Sequence, residues 1–309
     1  MREIAVFGGT SHPALTAEIC AYLAVPQRPV MVKRFANDCL EVQLQSNCRE
    51  RDVFLIQSLV RPVQEHLVEL LLMADAARGA SAARVTAVMP HYAYARSDKK
   101  DAPRISIGGR LIADLLVTAG VNRVLTLNLH SPQVDGFFSV PVDHLHALRE
   151  LAGHFRERDL STAVVVSPDL GYAKSAAAFA RLLGLPVAAG AKERLSDTEV
   201  KITAIIGDVA GRDVLVLDDE ISRGTTVFEL LDRLREEDAR SVAVACTHGL
   251  FADDALERLG ATDVTEIVCT NSAPLHDDHP KLTVLSVGPA LAEAISRIHN
   301  GESVSALFH

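Results

Sequence analysis

Apolar residues along this chain fall into two kinds of run that alternate. One kind is short, β-branched and nearly free of polar residues. It predicts strands at Ile4–Phe7, Val53–Gln57, Val85–Met89, Val124–Asn128, Ala163–Val166, Val187–Ala189, Val214–Leu217, Val242–Cys246, Glu266–Cys269 and Leu282–Ser286. The other kind spaces its apolar residues by three and four. It predicts helices at Ala14–Leu23, Gln64–Arg78, Gly109–Ala119, Ala173–Leu183, Val227–Glu237 and Pro289–His299. Strands apolar on both faces and separated by helices imply mainly parallel sheets covered on both sides, and so an α/β class.

The pattern also repeats. The order Val53-Phe54-Leu55-Ile56-Gln57, helix, Ala83-Arg84-Val85-Thr86-Ala87-Val88-Met89-Pro90-His91, helix, Gly120-Val121-Asn122-Arg123-Val124 returns in the second half. There it reads Val214-Leu215-Val216-Leu217-Asp218-Asp219, helix, Ala239-Arg240-Ser241-Val242-Ala243-Val244-Ala245-Cys246-Thr247-His248, helix, Gly260-Ala261-Thr262-Asp263-Val264. A period this long is not a solenoid's. It predicts two related α/β domains, 1–145 and 146–309, meeting near residues 142–150 without a Pro/Gly/Ser-rich linker.

Composition narrows the partners. In 309 residues, 48% are hydrophobic and 23% charged, a soluble globular balance, and the net charge of −9 argues against general nucleic-acid binding. No apolar run nears the roughly 18–20 residues of a membrane span. Met1-Arg2-Glu3-Ile4-Ala5-Val6-Phe7 reads as a first strand, not a secretion signal. The five cysteines, Cys20, Cys39, Cys48, Cys246 and Cys269, form no CxxC pair, which suggests reduced thiols in the cytoplasm.

Ligands of open α/β sheets bind beyond the carboxyl ends of strands, so the residues there matter most. After Val214–Leu217 come Asp218, Asp219, Glu220, Ile221, Ser222, Arg223, Gly224, Thr225 and Thr226, and then a helix. Backbone N–H groups and hydroxyls at such a helix start suit a phosphate, and the carboxylates before it can hold vicinal hydroxyls or a magnesium ion bound to them. The combination fits a phosphorylated sugar, and without Gly-Lys-Ser/Thr it is not a Walker-type loop. Arg96, Lys99 and Lys100, with Ser97 and Asp98 between them, follow another strand. They can neutralise a polyphosphate, although a solvated basic loop would look the same by composition. His130 and Asp169 also follow strands; taken alone, His130 reads first as a structural histidine, and Asp169 as readily as a helix-capping acid.

The Asp218–Thr226 segment resembles the phosphoribosyl-diphosphate motif of type I phosphoribosyltransferases and of ribose-phosphate diphosphokinases, also called pyrophosphokinases. Resemblance to the diphosphokinases runs nearly end to end. It includes Tyr94-Ala95-Arg96-Ser97-Asp98-Lys99-Lys100, Leu127-Asn128-Leu129-His130-Ser131-Pro132-Gln133, Val166-Ser167-Pro168-Asp169-Leu170-Gly171, Ile206-Gly207-Asp208-Val209-Ala210-Gly211 and Leu291-Ala292-Glu293-Ala294-Ile295. The resemblance implies two phosphoribosyltransferase-like domains and transfer of a diphosphate from ATP to ribose 5-phosphate. It implies Mg2+ as cofactor with His130 and Asp169 at the metal site, and Lys192 and Arg194 as catalytic cations, Arg194 also meeting the sugar phosphate. ATP would meet Phe35, Asn37, Asp38, Cys39, Arg96, Ser97, Asp98 and Lys99. Ribose 5-phosphate would meet Asp218, Asp219, Ser222, Arg223, Gly224, Thr225 and Thr226. A homo-oligomer, dimer or hexamer, is implied, with the ATP site shared between chains.

Departures from the family pattern are local. Asn37-Asp38-Cys39 stands where Asp-Gly-Glu is usual, so an acceptor for the base amino group is replaced by a thiol. Asn128 stands for Asp, Glu193 for a base, and Ser222-Arg223 for Asp-Thr. Two other readings share these residues. One is a phosphoribosyltransferase that consumes the product, although such enzymes share only the Asp218–Thr226 element. The other is a non-catalytic homologue that binds nucleotide and regulates an active relative.

Overall fold

The computed structural model describes residues 3–194 and 200–307, without the side chains of 193, 194 and 200. Its contacts divide the chain into two units. The first comprises Met1–His146, Ser272–Pro274 and Val287–His309; the second comprises Ala147–Asn271 and Leu275–Ser286.

The first unit runs β1 (Ile4–Gly8), α1 (Pro13–Tyr22), β2 (Gln27–Arg28), β3 (Val30–Arg34), β4 (Leu40–Leu44), β5 (Asp52–Ile56), α2 (Val63–Gly79), β6 (Arg84–Met89), α3 (Gly108–Ala119), β7 (Arg123–Leu127) and β8 (Val142–Leu145). Six strands form a parallel sheet in the order β2-β1-β5-β6-β7-β8, and β3 and β4 form a separate antiparallel hairpin. Every residue of β5 is buried, as expected of a central strand covered on both faces. Leu67, Leu70, Met73, Ala74 and Ala77, along one stripe of α2, join Phe7, Val53, Leu55 and Met89 in the core.

The second unit runs α4 (Leu148–Phe155), β9 (Ala163–Ser167), α5 (Ala173–Leu183), β10 (Val187–Arg194), β11 (Val200–Ile206), β12 (Asp213–Ile221), α6 (Thr225–Glu236), β13 (Ser241–Gly249), α7 (Ala255–Gly260), β14 (Glu266–Thr270) and β15 (Leu282–Leu285). Its sheet order is β11-β10-β9-β12-β13-β14-β15, and only the β10–β11 pair is antiparallel. The last helix, α8 (Gly288–Asn300), groups with the first unit. It is tied there by the Arg84 guanidinium, which donates to the Ile298 carbonyl at 2.9 Å, and by His299, whose Nδ1 lies 2.9 Å from Asp52 Oδ2.

The α/β class with mainly parallel sheets is as the hydrophobic pattern predicts. Each of the ten predicted strands and six predicted helices has a counterpart, displaced by a few residues at its ends. The pattern missed β2, β3, β4, β8, β11, α4 and α7. These are short or lie at edges, where one polar face breaks up the apolar run: β4 alternates half-buried with exposed residues throughout. No helix among the described residues is long and apolar enough to cross a membrane.

Candidate active site

Three neighbouring strands of the second unit, β10, β9 and β12, bring the expected sugar-site and catalytic groups to one edge. The expected strand Val214–Leu217 proves longer. β12 runs through Asp218 and Asp219 to Ile221, because β13 beside it is equally long and keeps pairing Asp218 with Cys246 and Glu220 with His248. The two acids are therefore strand residues with a fixed backbone, not loop residues. Asp218 Oδ1 accepts from the Asp219 N–H at 2.9 Å, and Asp219 is only 4% exposed. Loss of solvent, then the neighbouring Asp219 carboxyl, and then the Asp169 charge push the pKa of Asp218 well above the usual carboxylate range.

Asp169 follows β9. Its Oδ1 accepts from the Tyr172 N–H at 3.1 Å, and its carbonyl accepts from Ser167 Oγ at 2.6 Å. The other carboxylate oxygen, Oδ2, faces Lys192 Nζ of β10 at 3.6 Å. The structure thus brings Lys192 to Asp169, and Asp169 near enough to Asp218 to be felt electrostatically. The Arg194 side chain and residues 195–199, part of the expected polar loop, lie outside the described residues.

Beyond β12, the chain turns through Ser222 and Arg223 to Gly224, whose φ of 73° is left-handed. A Cβ there would meet the Phe228 ring at 2.9 Å, so both conformation and space call for glycine. No side chain caps the start of α6, which leaves the first-turn N–H groups near Thr225 and Thr226 suited to an anion. The turn is braced from β13: the Leu250 and Phe251 N–H groups donate to the Ile221 carbonyl and that of Ala252 to Ser222, all at 3.0 Å. Arg223 is exposed and already pairs with Asp253 at 3.2 Å, so its charge is partly offset.

In the first unit, β6 and β7 are neighbours and carry a second group of residues at their carboxyl ends. Arg96 ends a short 3-10 turn, and Lys99 and Lys100 are exposed. Lys99 Nζ lies 3.7 Å from Asp101. Ser97 has a structural duty that the sequence did not reveal. Its Oγ accepts from the Gly108 N–H at 2.8 Å and its carbonyl from that of Gly109, which fixes the start of α3. Asp98 accepts from Ser131 Oγ at 2.6 Å, so the basic loop is joined to the His130 loop.

Phe35, Asn37, Asp38 and Cys39 form the tip of the β3–β4 hairpin, on a sheet of its own apart from that carrying Arg96. The tip is closed by the Phe35 N–H to the Cys39 carbonyl, 2.9 Å, and by Asn37 Oδ1 accepting from the Cys39 N–H, 3.3 Å. Phe35 is 42% exposed, with Lys33 Nζ 5.0 Å from its ring centroid. Arg34 pairs with Asp38 and also with Glu65.

Among the described residues, no three His, Cys, Asp or Glu side chains stand together as a metal cage. Magnesium needs none: it keeps several waters and commonly takes one or two carboxylates plus substrate phosphates. Asp169, anchored through one oxygen with the other directed at a cation, fits that role. His130 is exposed and belongs to the first unit.

The chain is similar to known proteins over nearly its whole length. Residues 4–120 match the family model for the N-terminal domain of ribose phosphate pyrophosphokinase, and residues 193–309 match that for the phosphoribosyl synthetase-associated domain. A relative from Streptomyces coelicolor, provisionally named a ribose-phosphate pyrophosphokinase, is 72% identical across all of this chain and 98% of its own. The ribose-phosphate pyrophosphokinase of Deinococcus radiodurans is 49% identical over 98% of this chain and 97% of its own. The crystal structure of phosphoribosylpyrophosphate synthetase from Mycobacterium smegmatis superposes with a TM-score of 0.92 at 37% identity, covering 97% of this chain and 100% of that one.

Proposed function

The chain belongs to the ribose-phosphate pyrophosphokinase family, and from that premise we propose that it transfers the β,γ-diphosphate of ATP to the 1-hydroxyl of ribose 5-phosphate. The products are 5-phospho-α-D-ribose 1-diphosphate and AMP. The observation that carries the reading is the meeting of Asp169, Lys192 and Asp218 at the edge of three adjacent strands, just before the uncapped turn at Gly224.

In this reading the Ser222–Thr226 turn holds the 5-phosphate through backbone N–H groups and hydroxyls. Asp218 and Asp219 hold the ribose hydroxyls, and the fixed backbone of β12 orients the 1-hydroxyl. That oxygen attacks the β-phosphorus in line and gives up its proton to solvent, the bond between the α- and β-phosphates breaks, and AMP departs with the electron pair. Arg96 and Lys99 grip the polyphosphate with Ser97 and Asp98 shaping the loop, while Phe35, Asn37, Asp38 and Cys39 meet the base. Lys192 and Arg194 offset charge on the transferring group, where positioning and electrostatics do most of the catalysis. Mg2+ would neutralise phosphate charge when bound; Asp169 is the second unit's expected metal-site residue and His130 the first unit's.

Several further features belong to the same reading. The two domains are phosphoribosyltransferase-like and divide near residues 145–146, as expected, but the C-terminal helix α8, expected in the second, groups with the first. The protein is a homo-oligomer, dimer or hexamer, in which the β3–β4 tip serves a nucleotide shared between chains. A cytoplasmic location is supported by five free cysteines, of which burial pushes the Cys269 thiol up to about 12. A phosphoribosyltransferase is disfavoured, because the relatives match over the whole chain and not over one domain.

The test incubates the pure protein with Mg2+, ribose 5-phosphate and each nucleoside triphosphate in turn. The proposal expects the matching monophosphate, with ATP among the nucleotides used. Diphosphate nucleotides, or no product from any triphosphate, would refute it.

A further inference from the structure

The loop that presents His130 is fastened by a residue outside every motif singled out in the sequence. The parallel ladder of β7 and β8 ends at Leu127 and Leu145. One residue on, Asn128 turns left-handed, with φ 40°, and its N–H still reaches the Leu145 carbonyl at 2.9 Å. The next amide has passed the end of the ladder. Leu129 N–H donates instead to Nε2 of His144, at 2.9 Å. Both partners are enclosed: Leu129 is 6% exposed and His144 8%. A buried amide that loses such an acceptor has no water to replace it.

The same hydrogen bond selects the tautomer. Nε2 accepts, so the proton of the neutral ring sits on Nδ1, which lies 3.4 Å from Asp135 Oδ2. The His146 ring lies beside that of His144, centroids 4.6 Å apart. Around this clamp Asn128, Leu129 and Ser131 are buried while His130 is exposed. The clamp thus fixes the backbone directly before the exposed His130.

We propose that His144 is a positioning residue for the nucleotide and metal site: its Nε2 fixes the Leu129 amide and through it the direction of His130. It touches no substrate in this scheme. The inference rests on the reading of His130 given under the proposed function.

The test compares H144F, which keeps a ring but removes the acceptor, with H144Q, which carries an acceptor of similar reach. H144F is expected to raise both the half-saturating Mg2+ concentration and the KM for MgATP about tenfold, with the KM for ribose 5-phosphate changed less than about twofold. Titration calorimetry with Mn2+ and ATP, without ribose 5-phosphate, should show the same loss without turnover. Hydrogen exchange at the Leu129 amide should quicken about tenfold, and H144Q should recover most of both effects. Should H144F fail to fold, D135A loosens the tautomer and should move the same constants by a smaller factor in the same direction. The proposal is overturned by unchanged Leu129 exchange in H144F, by equal rises in both substrate KM values, by failure of H144Q to restore either quantity, or by D135A without effect where it is the variant used. H130A separates the two ideas: normal Mg2+ and ATP constants there would remove His130 from the site, while Leu129 exchange in H144F would still report on the clamp.

Discussion

Asp218 bears an electrostatic conflict, because burial and two neighbouring acids oppose its charge. Its folded pKa lies above its unfolded one, so the folded state holds the extra proton. The associated stability is present at low pH and is lost as pH rises through the raised pKa. Asp218→Asn imitates the protonated form. It should raise the Tm of the ligand-free protein by about 2–4 °C at pH 8, the equivalent of ~1 kcal/mol, and by nothing near pH 4. The same variant should raise the KM for ribose 5-phosphate at least about tenfold through lost charged hydrogen bonds. An equal gain in Tm at both pH values would contradict the assignment of the conflict to Asp218. Lys192 differs in kind, because in the proposed reaction it serves the transferring group and not the fold. Lys192→Ala should lower kcat by roughly two to four orders of magnitude with Tm nearly unchanged. Wild-type turnover would remove it from the mechanism. At the hairpin tip, Cys39 is a poor acceptor, and discrimination between bases suffers when one polar partner is missing. Comparing kcat/KM for ATP and GTP should show weak preference in the wild type and a stronger one in Cys39→Glu; no gain in that variant would place base recognition elsewhere.

At the scale of elements, Gly224 is the joint between β12 and α6. Gly224→Ala forces a side chain into a left-handed backbone against the Phe228 ring. It should cost roughly 1–3 kcal/mol and weaken ribose 5-phosphate more than ATP. Calorimetry with each ligand would show this, and equal weakening of both would mean that the turn does not serve the sugar alone. The Asp218–Thr226 element was legible in the sequence because a long apolar run ends in acids and then in small and hydroxyl residues. Its backbone was only half legible, since the strand end depends on the length of the neighbouring strand β13. The β3–β4 hairpin was not legible as strands: its half-exposed residues give no continuous apolar run. Nor was His144, whose duty depends on reaching an amide 15 residues earlier in the chain. No spacing rule announces such a contact. Ser97 shows the converse, a residue noticed for ligand chemistry that also fastens the start of α3.

For the molecule as a whole, the hydrophobic repeat revealed two α/β halves but not the return of α8 to the first unit. That return hangs on Asp52, 2% exposed, which pairs with Arg84 and His299. Removing the acid leaves two basic groups facing each other, so Asp52→Ala should cost about 3–5 kcal/mol. Urea unfolding would show a loss of that size, and a loss below about 1 kcal/mol would mean that apolar packing alone holds α8. The central claim concerns which bond of the nucleotide breaks. Phosphorus NMR of a reaction containing the protein, Mg2+, ATP and ribose 5-phosphate follows it without coupling enzymes. The account predicts AMP and a sugar-linked diphosphate appearing in equal amounts, with no ADP and no free phosphate. ADP with a singly phosphorylated sugar position, or free phosphate with ribose 5-phosphate unchanged, would contradict it.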